Sequence, residues 1–441
     1  MIIINSIEGD EFMSTATLND INKRERILSI DRFRGTVIFC MIIFQFIANF
    51  HNLGIISHIS SHAPHADAIY LLPNFAIADV VAPMFIFAIA LSYIPSLRRR
   101  QEKESTKSAV IHFVKRYLSL IGIGIAMNGI NNILDGDSAP LNYAIIALTA
   151  LILLVGLVTL ILRGKAKKVC GKILGGLVIF AGVAGVIIAL VNFIMLVTGK
   201  TRDSLGYWLV LHHIGFAGLV ALPFALIKGK RGTIVRFIAG FGMLGLFAIF
   251  HEGDLANDLF ANNLELVDCV ADGGFAGGFA WGAMLILFTA FSDLYYECKK
   301  KFVAATAIYL VPVIAMLVAI FKTLPESDTF AGALSTFLPI NKGSVSPSYV
   351  LISIALALIA FNIYDLFNFY KGKFDPLSWW GKNPILLYII EFAVIGGLTA
   401  ALGGFFETAS AVVSVVIVIA TAALLTLLAY ILDKKNIILK L

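Results

Sequence analysis

The chain has 441 residues, of which 59% are hydrophobic and only 14% are charged, and its formal net charge is +6. Soluble domains carry about a quarter of their residues as charges, so this composition excludes a soluble enzyme and an intrinsically disordered chain. Four cysteines in 441 residues also exclude a disulfide-stapled secreted scaffold. The class that remains is a polytopic membrane protein.

Apolar segments of about 20 residues recur along the whole chain, and they are continuous rather than alternating, which predicts membrane-spanning helices. We predict an all-α polytopic membrane helix bundle with about 12 transmembrane helices. A polar cytoplasmic tail over 1–28 precedes a single transmembrane domain over 29–441, and the sequence leaves open whether Met1 or Met13 is the start. The predicted spans are 35–55, 77–95, 113–133, 142–162, 173–198, 206–227, 233–251, 273–293, 303–322, 348–368, 384–404 and 409–432.

Lysine and arginine placement predicts the orientation of these helices. With the N-terminus inside, 30 of the 34 basic residues fall on the cytoplasmic side, and the exceptions are Lys200, Arg202, Lys322 and Lys342. Cytoplasmic loops of membrane proteins show this enrichment, so we predict a cell-membrane protein with both termini in the cytoplasm and no nucleic-acid partner.

The histidines show the opposite distribution, because seven of the eight map to the outer side. These are His51, His58, His62, His65, His212, His213 and His251. Histidine titrates near neutral pH and therefore suits proton transfer, which favours a functional role for at least one of them.

The segment "SIDRFRG" (29–35) enters the first span at its inner end and brings Asp31, Arg32 and Arg34 to one level. These residues are typical either of an ion pair that anchors the helix at the membrane surface or of a site for an anionic donor. The residues alone leave both readings open.

In combination with a second segment the motif becomes specific. "SIDRFRG" with Gln45 in the same span, followed by "SHAPHADAIYLLPNFAIADVVAPMFIFAIALS" (61–92), resembles the heparan-alpha-glucosaminide N-acetyltransferase family of transmembrane acyltransferases, as a bacterial relative, and more distantly YeiB-like proteins. Weaker matches follow in the same order: "KRYLSLIGIGIAMNG" (115–129), "GYWLVLHHIGFA" (206–217) and "GKNPILLY" (381–388).

This resemblance implies roles for individual residues. His62 falls on the family's catalytic histidine, and Asp79 and Gln45 are the residues expected to assist it. Asp79 has a second reading as an N-terminal helix cap, and Gln45 as an interhelical hydrogen-bonding residue. Independently of the resemblance, Arg34, Lys115 and Arg116 lie at the inner ends of helices, where they either bind the phosphates of acetyl-CoA or anchor the helices at the cytoplasmic surface. The residues expected to bind the acceptor are Asn49, His51, His212, His213 and Glu391.

The chain also departs from the family pattern. His65 replaces a tryptophan, Gln45 an asparagine, the pair His212 and His213 a Gln-Arg pair, and Glu391 a histidine. These changes predict a different acceptor or altered chemistry on a shared scaffold. The resemblance implies a ten-helix core, so we interpret the two spans within about 142–198 as an insertion.

The leading hypothesis is a membrane acetyltransferase that uses cytoplasmic acetyl-CoA and an extracytoplasmic glycan or amino-sugar acceptor. A secondary transporter or flippase, or a non-catalytic membrane protein on the same scaffold, is the alternative. Beyond acetyl-CoA and the lipid bilayer we predict no metal and no disulfide, and a homo-oligomer is left open. The "GGFAGGFAWG" stretch (273–282) is typical of close helix packing rather than of a phosphate loop.

Overall fold

The computed structural model describes residues 28–48, 50, 70–72, 75–135, 140–162, 164–198, 208, 210–252, 271–323, 340–366 and 374–435. Within these ranges the fold is a helical bundle, and the strands β1 (Tyr70–Leu72) and β2 (Phe75–Ala76) form one short antiparallel hairpin. Two 3-10 turns, Ile77–Val80 and Ala271–Gly273, lead into helices. The predicted all-α polytopic bundle is confirmed.

Thirteen α-helices lie in the described residues. They are α1 (Leu28–Ile47), α2 (Val81–Lys103), α3 (Thr106–Asp135), α4 (Pro140–Ile161), α5 (Gly164–Val197), α6 (Val210–Leu226), α7 (Gly229–Glu252), α8 (Gly274–Glu297), α9 (Lys299–Thr323), α10 (Pro347–Leu366), α11 (Pro376–Lys382), α12 (Pro384–Thr408) and α13 (Ala411–Lys434).

Each predicted span overlaps one of the long helices, but the count of twelve spans is not confirmed. Nine helices in the described part of the chain are long and apolar enough to cross a membrane, and α6 is apolar but shorter. The first helix begins at Leu28 rather than at 35, because "SIDRFRG" is itself helical. Its charges have partners in the protein: Arg32 pairs with Asp375, and Arg34 lies near Asp31.

Helix α8 lies at the centre of the bundle and packs against α2, α6, α7 and α9. Its glycines allow the close contact with α6, since a Cβ at Gly278 would lie 2.7 Å from the Phe216 ring and one at Gly282 would lie 3.0 Å from Val220. The structure therefore agrees with the packing role predicted for this glycine-rich stretch.

Helices α4, α5 and α13 expose large apolar side chains along their length, including Leu154, Phe180 and Leu424. Such faces suit contact with lipid. Helix α5 has 34 residues and is about 51 Å long, which exceeds the roughly 30 Å hydrocarbon core. The proposal that α4 and α5 are an insertion stays a prediction.

The short helix α11 lies directly against α1, and two glycines make the approach possible. A Cβ at Gly35 would lie 1.7 Å from the carbonyl oxygen of Leu377, and one at Gly381 would lie 1.9 Å from that of Asp31. Any larger side chain at either position would overlap the opposite backbone. The start of the described chain is therefore packed against a segment more than 300 residues away.

Candidate functional site

Asp79 is fully buried in the 3-10 turn that leads into α2. Its Oδ2 accepts a hydrogen bond of 2.8 Å from the backbone amide of Ala76, so the carboxylate caps this turn. Its Oδ1 faces the ammonium of Lys342 at 3.6 Å. The cap reading of Asp79 is therefore correct in the structure, and the same side chain also carries a charged contact.

Lys342 joins two carboxylates from different elements. Its Nζ lies 3.6 Å from Asp79 and 3.9 Å from Oδ1 of Asp272, which precedes α8, and its side chain is only 15% exposed. We call Asp79, Asp272 and Lys342 the outer charge cluster, after the side on which the predicted orientation puts them. With two carboxylates and one ammonium, the cluster is net negative and attracts cationic groups.

Aromatic side chains cover the outer charge cluster. The Tyr349 hydroxyl donates a hydrogen bond of 2.9 Å to the backbone carbonyl of Asp79, and its ring lies 5.5 Å from Phe75 and 6.3 Å from Trp281. The Trp281 indole N–H donates to the carbonyl of Asp272 at 3.4 Å. Aromatic rings thus line part of the cluster, and this apolar lining strengthens the attraction between its opposite charges.

His212 and His213 lie beside this aromatic wall on α6, and both are 1% exposed. The His212 ring lies 5.1 Å from Trp208 and occupies the space above Gly124 of α3, where a Cβ would lie 2.7 Å from it. The His213 ring lies 5.7 Å from Trp281 instead. Adjacent helix positions point in different directions, and the two rings accordingly have different main neighbours.

The His213 ring has little polar contact. Neither of its nitrogens makes a hydrogen bond of ordinary geometry with the described residues, although the backbone of Trp208 lies near the ring. Asp272 is close enough to act on it electrostatically. His213 is therefore a buried base beside the outer charge cluster.

Glu391 on α12 is 1% exposed, and neither carboxylate oxygen has a hydrogen-bond partner in the described part of the chain. Tyr388, one turn earlier, lies within electrostatic range of both Glu391 and Asp272. A buried carboxyl group without a partner is costly in a membrane bundle, and such groups mark functional positions. Glu391 is thus a buried carboxyl group one turn from Tyr388, which itself lies within electrostatic range of Asp272.

Arg34 lies deeper in the bundle than the predicted membrane-surface anchor would. Its guanidinium donates to the carbonyls of Ala88 and Gly381, both at 3.4 Å, and lies 3.7 Å from Asp31. Ala88 is nine residues after Asp79 on α2, about 13 Å along the axis. Arg34 and the outer charge cluster therefore both lie against the α2 segment, but at different positions along its axis.

The other predicted site residues are placed separately. Lys115 is exposed on α3, and Arg116 is half-buried with its guanidinium 5.8 Å from the centre of the Tyr117 ring. Gln45 is exposed near the end of α1. His62, Asn49 and His51 lie outside the described residues.

The sequence model described as "Heparan-alpha-glucosaminide N-acetyltransferase, catalytic" matches residues 26–183. The predicted family resemblance is confirmed. The acetyltransferase-like segment is about a third of the chain and holds Arg34, Asp79 and the span with Gln45. No curated protein matches the chain. With its apolar helices, the chain is a multi-pass membrane protein, and its residues 26–183 are similar to this N-acetyltransferase family.

Lys342, Asp272 and Tyr349 follow the acetyltransferase-like segment, and sequence reasoning assigned none of them to the site. One signal was available: Lys342 is one of four basic residues predicted on the outer side, where the positive-inside tendency gives no reason for a lysine. Asp272 is one of six acidic residues between the predicted spans 233–251 and 273–293, and nothing in the sequence distinguishes it from the other five. The predicted absence of a metal stays a prediction.

Proposed function

We propose that the protein moves an acetyl group from cytoplasmic acetyl-CoA to an amine or hydroxyl of a sugar in an extracytoplasmic glycan or glycolipid. The observation that carries this proposal is the match of residues 26–183 to the acetyltransferase family. The buried charges support it, because a reaction across the membrane needs polar groups at more than one depth of the bundle.

The donor would be held mainly by basic residues. Arg34 has N–H groups directed into the bundle between α1, α2 and α11, where they can donate to the thioester carbonyl or to a phosphate. Lys115 and Arg116 on α3 are proposed to bind the nucleotide phosphates at the cytoplasmic surface. Positive groups near the thioester stabilise the oxyanion that develops when the acceptor attacks.

The acceptor side needs a base. A sugar amine arrives as an ammonium ion, which the negative outer charge cluster attracts, and it must lose a proton before its nitrogen can attack the acetyl carbon. We propose His62 for this proton transfer, with the buried His213 and Glu391 as the groups that pass the proton on. The C–N bond then forms as the C–S bond breaks, and the CoA thiolate leaves and takes up a proton.

The proposal is tested with the purified full chain in lipid vesicles. Acetyl-CoA is supplied with a panel of amino sugars and short glycans, and free CoA thiol and acetylated product are both measured. We expect stoichiometric thiol and product with at least one acceptor, and neither with His62→Ala. Wild-type protein that makes no product and binds no acetyl-CoA would contradict the proposal, and substrate counterflow in the same vesicles would favour the transporter alternative.

A further inference from the structure

A second buried group of charges lies at the other end of the bundle, where α2, α6, α7 and α8 meet. Arg236 of α7 is 1% exposed and pairs through Nη2 with the carboxylate of Asp293 on α8. The Thr233 hydroxyl donates to the same carboxylate at 2.8 Å. Neither Nε nor Nη1 of Arg236 has a hydrogen-bond partner among the described residues.

A second guanidinium lies beside this pair. Arg98 of α2 donates to the carbonyls of Ala225 and Ile227, both at 2.8 Å, at the end of α6. Arg98 is also within electrostatic range of both Arg236 and Asp293. Two guanidinium groups and one carboxylate therefore lie near one another, and this excess of one positive charge attracts an anion.

The side of Arg236 without a hydrogen-bond partner among the described residues lies beside the first turn of its own helix. Its Nη1 lies 3.3 Å from the place where a Cβ on Gly232 would sit, in the first turn of the 24-residue helix α7. The first amides of a helix have no intrahelical acceptor, and the helix dipole favours an anion there. Lys230 and Arg231 of the same turn are exposed, and so is Lys228, which directly precedes the helix.

We propose that this end of the bundle binds a phosphate-bearing anion, held by Arg236 and the first turn of α7, with Lys230 and Arg231 at its entrance. A phosphate has several acceptor oxygens that match the guanidinium N–H groups and the backbone amides. The Ile227 carbonyl also faces Gly232, so the anion enters by moving the turn between α6 and α7. The inference is independent of the acetyl transfer proposed above.

Two sources share this chemistry, namely the headgroup of an anionic phospholipid in the cytoplasmic leaflet and soluble phosphate. The experiment therefore has two arms. Full-length protein in detergent is titrated with inorganic phosphate, and delipidated protein is titrated with phosphatidylglycerol against phosphatidylcholine. Bound ligand is counted by native mass spectrometry and the thermal midpoint is recorded in parallel.

We expect one arm to show a bound phosphate ligand and a raised midpoint, and the arm that responds identifies the source. Lys230→Gln with Arg231→Gln should weaken binding by about tenfold. Arg236→Gln with Asp293→Asn, which removes both members of the buried pair together, should abolish binding while the protein elutes as a folded species.

The matched control is Lys300→Gln with Lys301→Gln. These lysines also lie in the first turn of a helix, α9, and are exposed on the same predicted side. Binding that is absent in both arms would overturn the proposal. So would binding that falls as much in this control as in Lys230→Gln with Arg231→Gln, because that result indicates only nonspecific attraction to basic loops.

Discussion

At the residue scale, two buried carboxyl groups of this bundle differ in their polar neighbours. Asp79 is completely buried, yet both of its oxygens have polar neighbours, the amide of Ala76 and the ammonium of Lys342. Glu391 is buried to nearly the same degree and has no hydrogen-bond partner in the described residues. Asp79 therefore contributes to the local fold, whereas no hydrogen bond within the described residues explains the presence of Glu391.

Replacing Lys342 tests the outer charge cluster. Lys342→Met removes the ammonium that lies between Asp79 and Asp272, and we expect the free energy of unfolding to fall by about 3 kcal/mol. The thermal midpoint of the purified protein in detergent measures this loss. Lys300→Met is the control, because Lys300 is exposed and its removal should leave the midpoint unchanged. Equal midpoints for the two variants would contradict a structural role of the cluster.

Replacing Glu391 separates function from stability. Glu391→Gln keeps the shape of the side chain and removes its charge, so we expect an unchanged or higher thermal midpoint. Under the proposed function, the rate of acetyl transfer should fall by about 10²- to 10⁴-fold, because general acid–base catalysis typically supplies this factor. Transfer and thermal unfolding are measured on the same preparation. A variant that keeps the wild-type rate would exclude Glu391 from proton transfer.

These residues also show how far the sequence predicts the site. The family motif located Asp79 and Arg34, and the helix-cap reading of Asp79 was available from its place in the first turn. The contact of Asp79 with Lys342 joins residues 263 positions apart, and no local pattern encodes such a pairing. Glu391 was predicted from a weak motif, but its lack of a partner depends on what the bundle places around it.

At the element scale, the contact between α1 and α11 is the closest helix approach described here. Gly35 and Gly381 each face the backbone of the other helix, and the phenol of Tyr364 on α10 donates to Thr36 beside them at 2.7 Å. The sequence predicted the apolar part of α1 but not α11, since a seven-residue helix has too few turns to show periodicity. The predicted span begins seven residues after the start of α1, because Asp31, Arg32 and Arg34 interrupt the apolar pattern there.

Substitution at Gly35 tests this contact. The added methyl group of Gly35→Ala would overlap the Leu377 carbonyl, so we expect a loss of about 1–3 kcal/mol from displaced backbone. The lowered thermal midpoint in detergent measures it. Gly156→Ala on α4 is the matched control: its Cβ would meet nothing within 4 Å, so only the gain in helix propensity remains. The contact would be disproved by a Gly35→Ala midpoint as high as that of the control.

At the scale of the whole molecule, the two ends of the bundle carry different chemistry. One end holds Arg98, Arg236 and the exposed lysines of the helix starts, and the other holds the outer charge cluster and the buried histidines. This division agrees with the orientation predicted from lysine and arginine placement, which itself stays a prediction. The number of spans was harder to predict, because length and hydropathy alone do not separate a crossing helix such as α2 from a shorter apolar one such as α6.

Cysteine labelling tests the orientation. Cys298 is exposed between α8 and α9, and hydrogen bonds from the backbone amides of Lys301 and Lys300 lower the pKa of its thiol. The thiolate is therefore populated at a lower pH than for an ordinary cysteine, and alkylation should be half-maximal at that lower pH. A variant that keeps only Cys298 should react with an impermeant maleimide in inverted vesicles and not in intact cells.

A second variant that keeps only Cys269, in the predicted outer loop, serves as the control for sidedness. It should react in intact cells. If both cysteines react from the same side, the predicted orientation of α8 is wrong, whatever the activity of the protein.

The packing of α1 has a consequence for how the protein is made. Arg32 and its partner Asp375 are 343 positions apart, and Ser29 bonds to Asp365 across a similar distance. At a synthesis rate of about 5–20 residues per second, the ribosome reaches these partners roughly 20–70 s after α1 emerges. During that interval Ser29 and Arg32 at the start of the helix lack these two partners. Nascent chains cut short before residue 365 should therefore be the preferred targets of membrane chaperones and quality-control proteases.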